Sequence, residues 1–410
     1  MSLREPSDRS SGGQQGHKGD TLKRVADPDR VLTHEAVACR HCGAGLMRAM
    51  AQEMERRQVF DLPAKLIEVT EHRGLVYACA GCGGRTAAAF PARVAAAAQY
   101  GERVRAAAVY LHVQQLIPED RAAQTLADLF GADRLCPASV MDWVKRKARA
   151  MAPLAKRIGA LVSRARVRCL DETGFRVAGR TQWLHTVATE GLTLYRVSPK
   201  RGDVPKDLAG GVVVHDGFKS YGALAGAEHA LCNAHHLREL KALIEFDAEP
   251  WAGPMRDLLI EANRAVGQAR ARGERTLPPT VLTAFETRFW ETLRQGLAFH
   301  RKLPRLPRAA KRGRTKRRAG ENLLRRLHRF KDDALRFLRD FDVPFTNNLA
   351  EQALRMMKVK MKISGAFRTA AAAHDFATLR SVVATATKQR WNILHTLSDV
   401  PDNLQIATQP

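Results

Sequence analysis

Two matched cysteine pairs constrain the fold of this chain more than any other feature of its sequence. Cys39 and Cys42 form one Cys-x-x-Cys pair, Cys79 and Cys82 form the other, and a glycine follows each pair. Four thiolates can bind one Zn²⁺ tetrahedrally, and glycine suits the tight turn after each pair. Because four thiolates leave no open coordination position, the pairs predict a structural zinc site.

The segments around the cysteine pairs indicate the fold that would hold this zinc. Residues 66–70 and 75–77 are rich in apolar and β-branched side chains, and a turn at residues 73–74 separates them. Such runs predict paired strands, so we expect a zinc-ribbon domain over residues 37–95. Residues 1–36 are polar and glycine-rich, which predicts a flexible arm or a strip that lies along DNA phosphates.

The charge of the chain indicates a polyanionic partner. The 410 residues carry a formal net charge of +25. Nucleic acid is the commonest such partner, and an anionic membrane surface is the competing one. The sequence contains neither a run of about 18 apolar residues, which a spanning helix would need, nor an apolar signal sequence. We therefore expect a cytoplasmic, nucleoid-associated protein of several domains, whose seven cysteines bind metal or stay free.

Residues 96–165 follow a helical hydrophobic period. One helix is predicted to end at Gly131 and another to begin at Pro137, with a group of outward-facing cations that includes Lys147. A short turn before a basic helix is typical of helix-turn-helix DNA binding, although a plain helical hairpin fits the pattern too.

From residue 166 the pattern changes to strands. Five segments are strand candidates: 167–171, 182–188, 192–197, 211–216 and 229–232. The first three form a meander, and the last two are expected to follow with helical connections. This is the order of a ribonuclease-H-like fold, an α/β core with a mixed five-stranded sheet. We assign the core to residues 166–239 and 341–395.

Residues 240–340, between the two parts of the core, are predicted to be helical and strongly basic. Their run of cations comprises Lys311, Arg312, Arg314, Lys316, Arg317 and Arg318. Such a run is often a solvated face, but in a chain this basic it favours a surface that contacts phosphates. The last residues, 396–410, are expected to form a short tail.

A single acidic residue heads a basic helix near the end of the chain. Thr346 or Asn347 is expected to cap this helix, which continues to about residue 395. By steps of three and four residues, one helical face carries Glu351, Arg355, Lys358 and Lys362. A carboxylate followed by cations suits a site for a metal ion and a phosphate, whereas a surface ion-pair helix is the plainer interpretation.

Asp171 and Asp216 follow strand candidates where the predicted sheet meets solvent. Either aspartate alone is more simply explained as a cap of the next turn. Together with Glu351 they supply three carboxylates, and oxygen ligands are what Mg²⁺ or Mn²⁺ require. Two such ions can activate a water or sugar hydroxyl on one side of a phosphorus atom and neutralise the leaving oxygen on the other.

Several separate motifs resemble bacterial transposases of the insertion-sequence-66 type, within the larger DDE transposase superfamily. The motifs are Gly13-Gln14-Gln15-Gly16-His17-Lys18-Gly19, the two cysteine pairs, Asp171-Glu172-Thr173, Asp216-Gly217-Phe218, Cys232-Asn233-Ala234-His235 with Arg238-Glu239, and Asn347-Asn348-Leu349-Ala350-Glu351 with Arg355, Lys358, Ser364-Gly365 and Phe367-Arg368. The resemblance implies that Asp171, Asp216 and Glu351 are the metal-binding catalytic triad. It also implies that residues 240–340 are a helical insertion before the third acid, and that the N-terminus is shorter than is common in the family.

The resemblance further implies an activity and its partners. The enzyme would cleave DNA at the ends of its element and transfer the strands into target DNA, with two Mg²⁺ or Mn²⁺ per active site and one structural Zn²⁺. Its partners would be double-stranded DNA, further copies of the chain on that DNA and accessory proteins of the same element, with no membrane. Besides the basic run, the expected DNA contacts are Arg238, Arg355, Lys358, Lys362 and Arg368.

Two points stay open at this stage. Cys232 and His235 resemble a Cys-x-x-His motif found after the second acid of several such transposases, but a metal site needs further ligands, of which His236 is the nearest. A buried thiol and a helix-start histidine are the plainer interpretation. The activity also has two alternatives: a non-catalytic, domesticated or defective DNA-binding protein, and a ribonuclease-H-like nuclease without strand transfer.

Overall fold

The chain divides into two units, Met1–Leu66 and Ile67–Pro410. The computed structural model describes residues 22–46, 55–61, 66–132, 135–205, 207–208, 210–224, 226–304, 306–307 and 316–398. The glycine-rich motif at 13–19 and three cations of the basic run, Lys311, Arg312 and Arg314, lie outside the described residues.

The described part of the first unit consists of exposed loops around the first cysteine pair. An antiparallel bridge between Ala38 and Gly45 closes the turn that contains this pair. The Gln58 side chain accepts a hydrogen bond from the Val25 N–H and donates one to the Val25 carbonyl, each at 2.8 Å. Side-chain and turn hydrogen bonds, and not a helix or long strand, therefore order the described residues of this unit.

The second cysteine pair lies in the turn of a short hairpin. Strand β1 (Val76–Ala78) pairs antiparallel with β2 (Arg85–Ala87), so the cysteine turn itself joins the two strands. The predicted strand at 75–77 is thus found, but its predicted partner at 66–70 is wrong, because those residues form no strand. Hydrogen bonds within the cysteine turn, from the Cys79 N–H to the Gly84 carbonyl and from the Gly83 N–H to the Cys79 carbonyl, reverse the chain and bring 85–87 alongside 76–78.

Three helices follow: α1 (Glu102–Val109), α2 (Glu119–Phe130) and α3 (Pro137–Arg164). Gly131 ends α2 in the left-handed conformation, as the sequence predicts. One predicted outward cation is wrong: Lys147 is only 7 % exposed, and its Nζ lies 3.7 Å from Glu102. The reason is that α3 packs against α1 on this side, so its helical period turns Lys147 inward.

A mixed five-stranded sheet forms the centre of the second unit. Its strands are β3 (Val167–Val177), β4 (Arg180–Ala188), β5 (Thr193–Ser198), β6 (Val212–His215) and β7 (Glu228–Leu231). The spatial order is β5-β4-β3-β6-β7. β3, β4 and β5 are antiparallel neighbours, whereas β6 pairs parallel with both β3 and β7. The predicted five-stranded mixed sheet is therefore confirmed.

Two details of the predicted sheet are wrong. Asp171 lies inside β3 and not at its end, because the hairpin with β4 extends β3 to Val177. The parallel pairing with β6, however, ends at Cys169, so Asp171 still lies beyond the parallel part of the sheet. The connections around β6 are mostly loops: among their described residues, Tyr221–Ala223 is a single 3₁₀ turn.

Five helices lie between β7 and the last part of the sheet core. They are α4 (Asn233–Phe246), α5 (Ala252–Ala271), α6 (Pro279–Lys302), α7 (Ala319–Arg329) and α8 (Lys331–Arg339). These helices bury their own hydrophobic cluster, which includes Trp251, Phe289 and Leu324. This core stabilises the helices separately from the apolar residues that pack against the sheet.

Three more helices, α9 (Asn348–Ser364), α10 (Ala370–Lys388) and α11 (Ile393–Ser398), complete the described chain. The predicted uninterrupted helix to about residue 395 is wrong. Gly365 has a φ of 64° and ends α9, and the Phe367 N–H then donates to the Arg176 carbonyl of β3 at 2.9 Å. None of the described helices is both long and apolar enough to cross a membrane.

Candidate active site and metal centre

Helix α9 is held against strand β3 by a buried asparagine. Asn347 is 0 % exposed, and its side-chain amide donates to the Leu170 carbonyl at 2.7 Å. Its backbone N–H donates to the Cys232 sulfur at 3.1 Å. These bonds fix the first turn of α9 beside the residue that precedes Asp171. Asn347 is at the N-cap position, as predicted, but its side chain bonds the strand and does not cap the helix.

Asp171 lies on β3, and Asp216 directly follows β6, the parallel neighbour of β3. β3 and β6 stay paired until two residues before each aspartate. Asp171 accepts a hydrogen bond from the Glu172 N–H at 2.9 Å, and Asp216 accepts one from the Phe218 N–H at 2.8 Å. Asp216 therefore makes the turn-capping contact of the plainer interpretation, whereas Asp171 lies inside β3 and bonds the N–H of the next residue. Both aspartates lie just beyond the last paired residues of the two parallel strands.

The carboxylate of Asp171 is surrounded by other acids. Its pKa is raised from 3.8 to about 7, mainly by burial and in part by the charges of Glu172, Asp216 and Glu351. A bound cation would relieve this repulsion between like charges. The donor atoms of these acids are all oxygens, which fits a hard divalent ion such as Mg²⁺.

The two carboxylate oxygens of Glu351 have different partners. Oε2 lies 3.6 Å from Arg238 Nη2, whereas Oε1 lies 3.7 Å from Cys232 Sγ and 3.8 Å from His235 Nδ1. Burial raises the pKa of the Cys232 thiol to about 11, so this thiol stays protonated beside the carboxylate. Arg238, an expected DNA contact, is thus paired within the protein, and its contact with DNA stays a prediction.

The three predicted catalytic acids are not spaced as ligands of one ion. In the part of the chain that the structure describes, one group of three Cys, His, Asp or Glu residues has all its ligand atoms within 4.8 Å of one another, namely Cys232, His235 and Glu351. Asp171, Asp216 and Glu351 do not form such a group. At least one pair of their carboxylates therefore lies more than 4.8 Å apart, although the charges of Asp216 and Glu351 both act on Asp171.

Glu172 is a buried acid whose role the sequence prediction missed. Its side chain is 1 % exposed and accepts hydrogen bonds from Arg201 Nε at 2.9 Å and from the Tyr221 hydroxyl. The Arg201 guanidinium lies 4.2 Å from the centroid of the Phe218 ring. Because Phe218 and Tyr221 both follow Asp216, Glu172 and Arg201 fasten the loop of Asp216 to β3. The adjacent pair Asp171-Glu172 was the sequence feature that could have indicated this role, but nothing in the sequence shows that the Glu172 side chain faces inward.

The two cysteine pairs fold into turns of matching geometry. The Gly43 N–H donates to the Cys39 carbonyl at 2.9 Å, and the Gly83 N–H donates to the Cys79 carbonyl at 2.8 Å. Both glycines have positive φ, at 75° and 70°. Backbone N–H groups within each turn lower the pKa of Cys39 and of Cys79, which favours the thiolate that binds Zn²⁺. Each pair, taken by itself, has the chemistry of half a tetrahedral zinc site.

Comparison with known protein families identifies both parts of the chain. A family model described as "Transposase IS66 family" matches residues 97–375, which is more than half of the chain. This chain belongs to the IS66 transposase family. A second model, described as the zinc-finger binding domain of transposase IS66, matches residues 37–83 and so includes all four cysteines. A search of curated proteins found no match. Membership indicates a transposase function, with DNA as the partner and zinc in the finger domain.

Cations of the IS66 transposase lie on and after α9. Four of them are exposed: Arg355, Lys358, Lys362 and Arg368. Lys358 and Lys362 line a groove together with Thr173 and Arg176. The groove therefore runs along the part of β3 that follows Asp171, and the contact of its cations with DNA stays a prediction.

Part of the basic run lies just before α7. Lys316 is exposed, whereas Arg317 and Arg318 are partly buried. The Arg317 Nε lies 3.2 Å from Glu321 Oε1, so this cation has a partner within the protein. A contribution of the run to DNA binding stays a prediction.

Proposed function

We propose that this chain is a DDE-type DNA transposase with a ribonuclease-H-like catalytic core, in which Asp171, Asp216 and Glu351 are the catalytic acids. The observation that carries the proposal is the hydrogen bond from Asn347 to the Leu170 carbonyl. That bond holds the first turn of α9, which carries Glu351, against the strand that carries Asp171. On this proposal, the helices between β7 and α9 are an insertion that separates the third acid from the other two in the sequence.

Asp171, Asp216 and Glu351 would hold two Mg²⁺ or Mn²⁺ ions. When bound, such ions activate the attacking oxygen and neutralise the leaving one in an in-line displacement at phosphorus. Burial and the charges of Glu172, Asp216 and Glu351 raise the pKa of Asp171, and a bound cation would offset both effects, which supports this assignment. Glu172 and Arg201 position the loop of Asp216, and Asn347 positions the first turn of α9.

The cations of the groove would bind the DNA backbone. Lys358 and Lys362 would contact phosphates that flank the scissile bond, and Arg355 lies one turn after Glu351 on the same helix. Attack of water on the phosphorus at an element end breaks the bond to the 3′-oxygen and leaves a 3′-hydroxyl. That hydroxyl then attacks a phosphorus atom of the target, which joins the strands and releases a target 3′-hydroxyl. The number of phosphodiester bonds is conserved in the second reaction.

The finger domain, the helices α1 to α3 and the basic run would bind the ends of the element. Zinc held by Cys39, Cys42, Cys79 and Cys82 would order the finger domain and would take no part in cleavage, since four thiolates close its coordination shell. Several copies of the chain would assemble on the two ends, together with accessory proteins of the same element.

The test is cleavage and joining of labelled DNA that carries the element's ends. Asp171→Asn, Asp216→Asn and Glu351→Gln should each abolish both reactions and leave DNA binding nearly intact. Asp247→Asn and Glu245→Gln make the same chemical changes at exposed positions and serve as matched controls. Full cleavage by any triad variant would refute the assignment of that acid. Cleavage without joined products by the unaltered chain would indicate a nuclease, and DNA binding without cleavage would indicate a non-catalytic protein.

A further inference from the structure

The Cys232, His235 and Glu351 side chains converge from two helices. Cys232 directly precedes α4, His235 lies in the first turn of α4, and Glu351 lies in the first turn of α9. Their sulfur, nitrogen and oxygen ligand atoms all lie within 4.8 Å of one another. Glu351 turns Oε1 toward the other two residues and Oε2 toward Arg238, so one carboxylate oxygen faces the cluster.

The Cys232 sulfur is protonated without a metal ion, but backbone N–H groups that point at it would stabilise its thiolate once an ion is bound. The Asn347 N–H donates to it at 3.1 Å, and the N–H groups of Ala234 and His235 also hydrogen-bond to it. Backbone N–H donors stabilise negative charge on sulfur. Cys169, by contrast, is a buried thiol that packs among apolar side chains of the sheet.

His235 supplies an independent observation. Its Nδ1 atom is buried and has no hydrogen-bond partner among the residues that the structure describes. The same atom lies 3.8 Å from Glu351 Oε1, on the side of the Cys232 sulfur. A buried, unpartnered imidazole nitrogen is costly unless it binds something, and a metal ion is a partner that a neutral imidazole nitrogen accepts.

The donor set selects the class of ion. A thiolate, an imidazole and a carboxylate together favour Zn²⁺ over Mg²⁺, which prefers oxygen ligands alone. We propose that Cys232, His235 and Glu351 form a second zinc site, separate from the finger domain, with its fourth coordination position open. Zn²⁺ at this site would hold the carboxylate that the proposed catalytic reaction needs, and zinc would therefore inhibit cleavage. Only this inhibitory part rests on the proposed function.

The site is tested by metal binding without any reference to activity. Co²⁺ added to the full chain, with the finger domain already loaded with zinc, should produce a thiolate-to-cobalt charge-transfer absorption with a stoichiometry of one ion per chain. Cys232→Ser should abolish that absorption and His235→Ala should weaken it. Cys136→Ser, which removes an exposed cysteine outside the cluster, should leave it unchanged. No absorption in the unaltered chain, or an equal absorption in Cys232→Ser, would overturn the site.

The inhibitory part is tested by adding Zn²⁺ to cleavage reactions in excess Mg²⁺. Each protein is compared with its own zinc-free rate, because Cys232 and His235 contact a proposed catalytic acid. His235→Ala removes one of the three ligands, so the zinc concentration that gives half-inhibition should rise at least about tenfold in this variant. Cys136→Ser should leave that concentration unchanged. A charge-transfer band without zinc inhibition would keep the metal site and overturn the sharing of Glu351. Far-ultraviolet circular dichroism checks that each variant is folded.

Discussion

Replacing Asp171 by Asn should make the magnesium-free protein more stable, although the proposed function predicts that it abolishes cleavage. The pKa of Asp171 is raised from 3.8 to about 7 by burial and by neighbouring acids. A shift of about three units corresponds to about 4 kcal/mol, and partial solvent contact reduces this to about 2 to 4 kcal/mol. The amide of Asn carries no charge, so the variant escapes this cost.

The sign of the effect follows from proton binding. Between pH 3.8 and about 7 the folded protein retains a proton on Asp171 that the unfolded chain has released. The free energy of unfolding therefore falls as pH rises through that window. The difference between Asp171→Asn and the unaltered chain should be small near pH 4, grow with pH and level off above about pH 7 at about 2 to 4 kcal/mol.

Urea unfolding of magnesium-free protein at several pH values measures this difference. Asp247→Asn is the control, because it makes the same change at an exposed position. Added Mg²⁺ should stabilise the unaltered chain more than Asp171→Asn, since ligand binding to the folded state adds to its stability. A difference that does not vary with pH would refute the conclusion that Asp171 is held in a buried cluster of acids.

Three further predictions concern the helix anchor, the DNA groove and the finger domain. Asn347→Ala should lower the free energy of unfolding by about 1 to 3 kcal/mol, because it leaves the buried Leu170 carbonyl without its hydrogen-bond donor. Urea unfolding measures this change, and an unchanged midpoint would contradict the prediction. Lys358→Ala and Lys362→Ala should each reduce the slope of log affinity for DNA against log salt by about 0.9, whereas an unchanged slope would exclude a phosphate contact. Zinc chelation should increase hydrogen exchange in residues 37–95 and leave β3 protected; unchanged exchange there would refute the finger assignment.

Strand and helix patterns predicted much of the second unit because local side-chain periodicity decided it. Gly131 ends a helix where the sequence places its end, and the hairpin of β4 and β5 and the buried strand β6 fall where alternation and apolar runs predict them. The cysteine pairs likewise specify their own turns, since the glycine after each pair takes the positive φ that the turn requires. These features depend on residues close together in sequence.

The wrong predictions concern segments whose structure depends on contacts with residues that are distant in the sequence. The strand at 76–78 pairs with 85–87, and Lys147 turns inward, because contacts that composition does not reveal made those arrangements favourable. β3 runs past Asp171 because its hairpin partner continues after its parallel partner has ended. Hydrophobic periodicity and strand or helix propensity describe one segment at a time. They therefore do not show which of several possible partners a segment will pack against.

The sequence by itself determined the kind of chemistry available to this protein: a zinc-binding finger, an excess of positive charge, three acids in distinctive settings and the motifs of a transposase family. Only the tertiary structure decided which side chains meet. The Asn347 amide brings the first turn of α9 to β3, Glu172 faces inward to Arg201, and Cys232 and His235 reach the same oxygen of Glu351. The physical reason is that these contacts join residues up to 177 positions apart in the chain, and packing, not local preference, sets such distances.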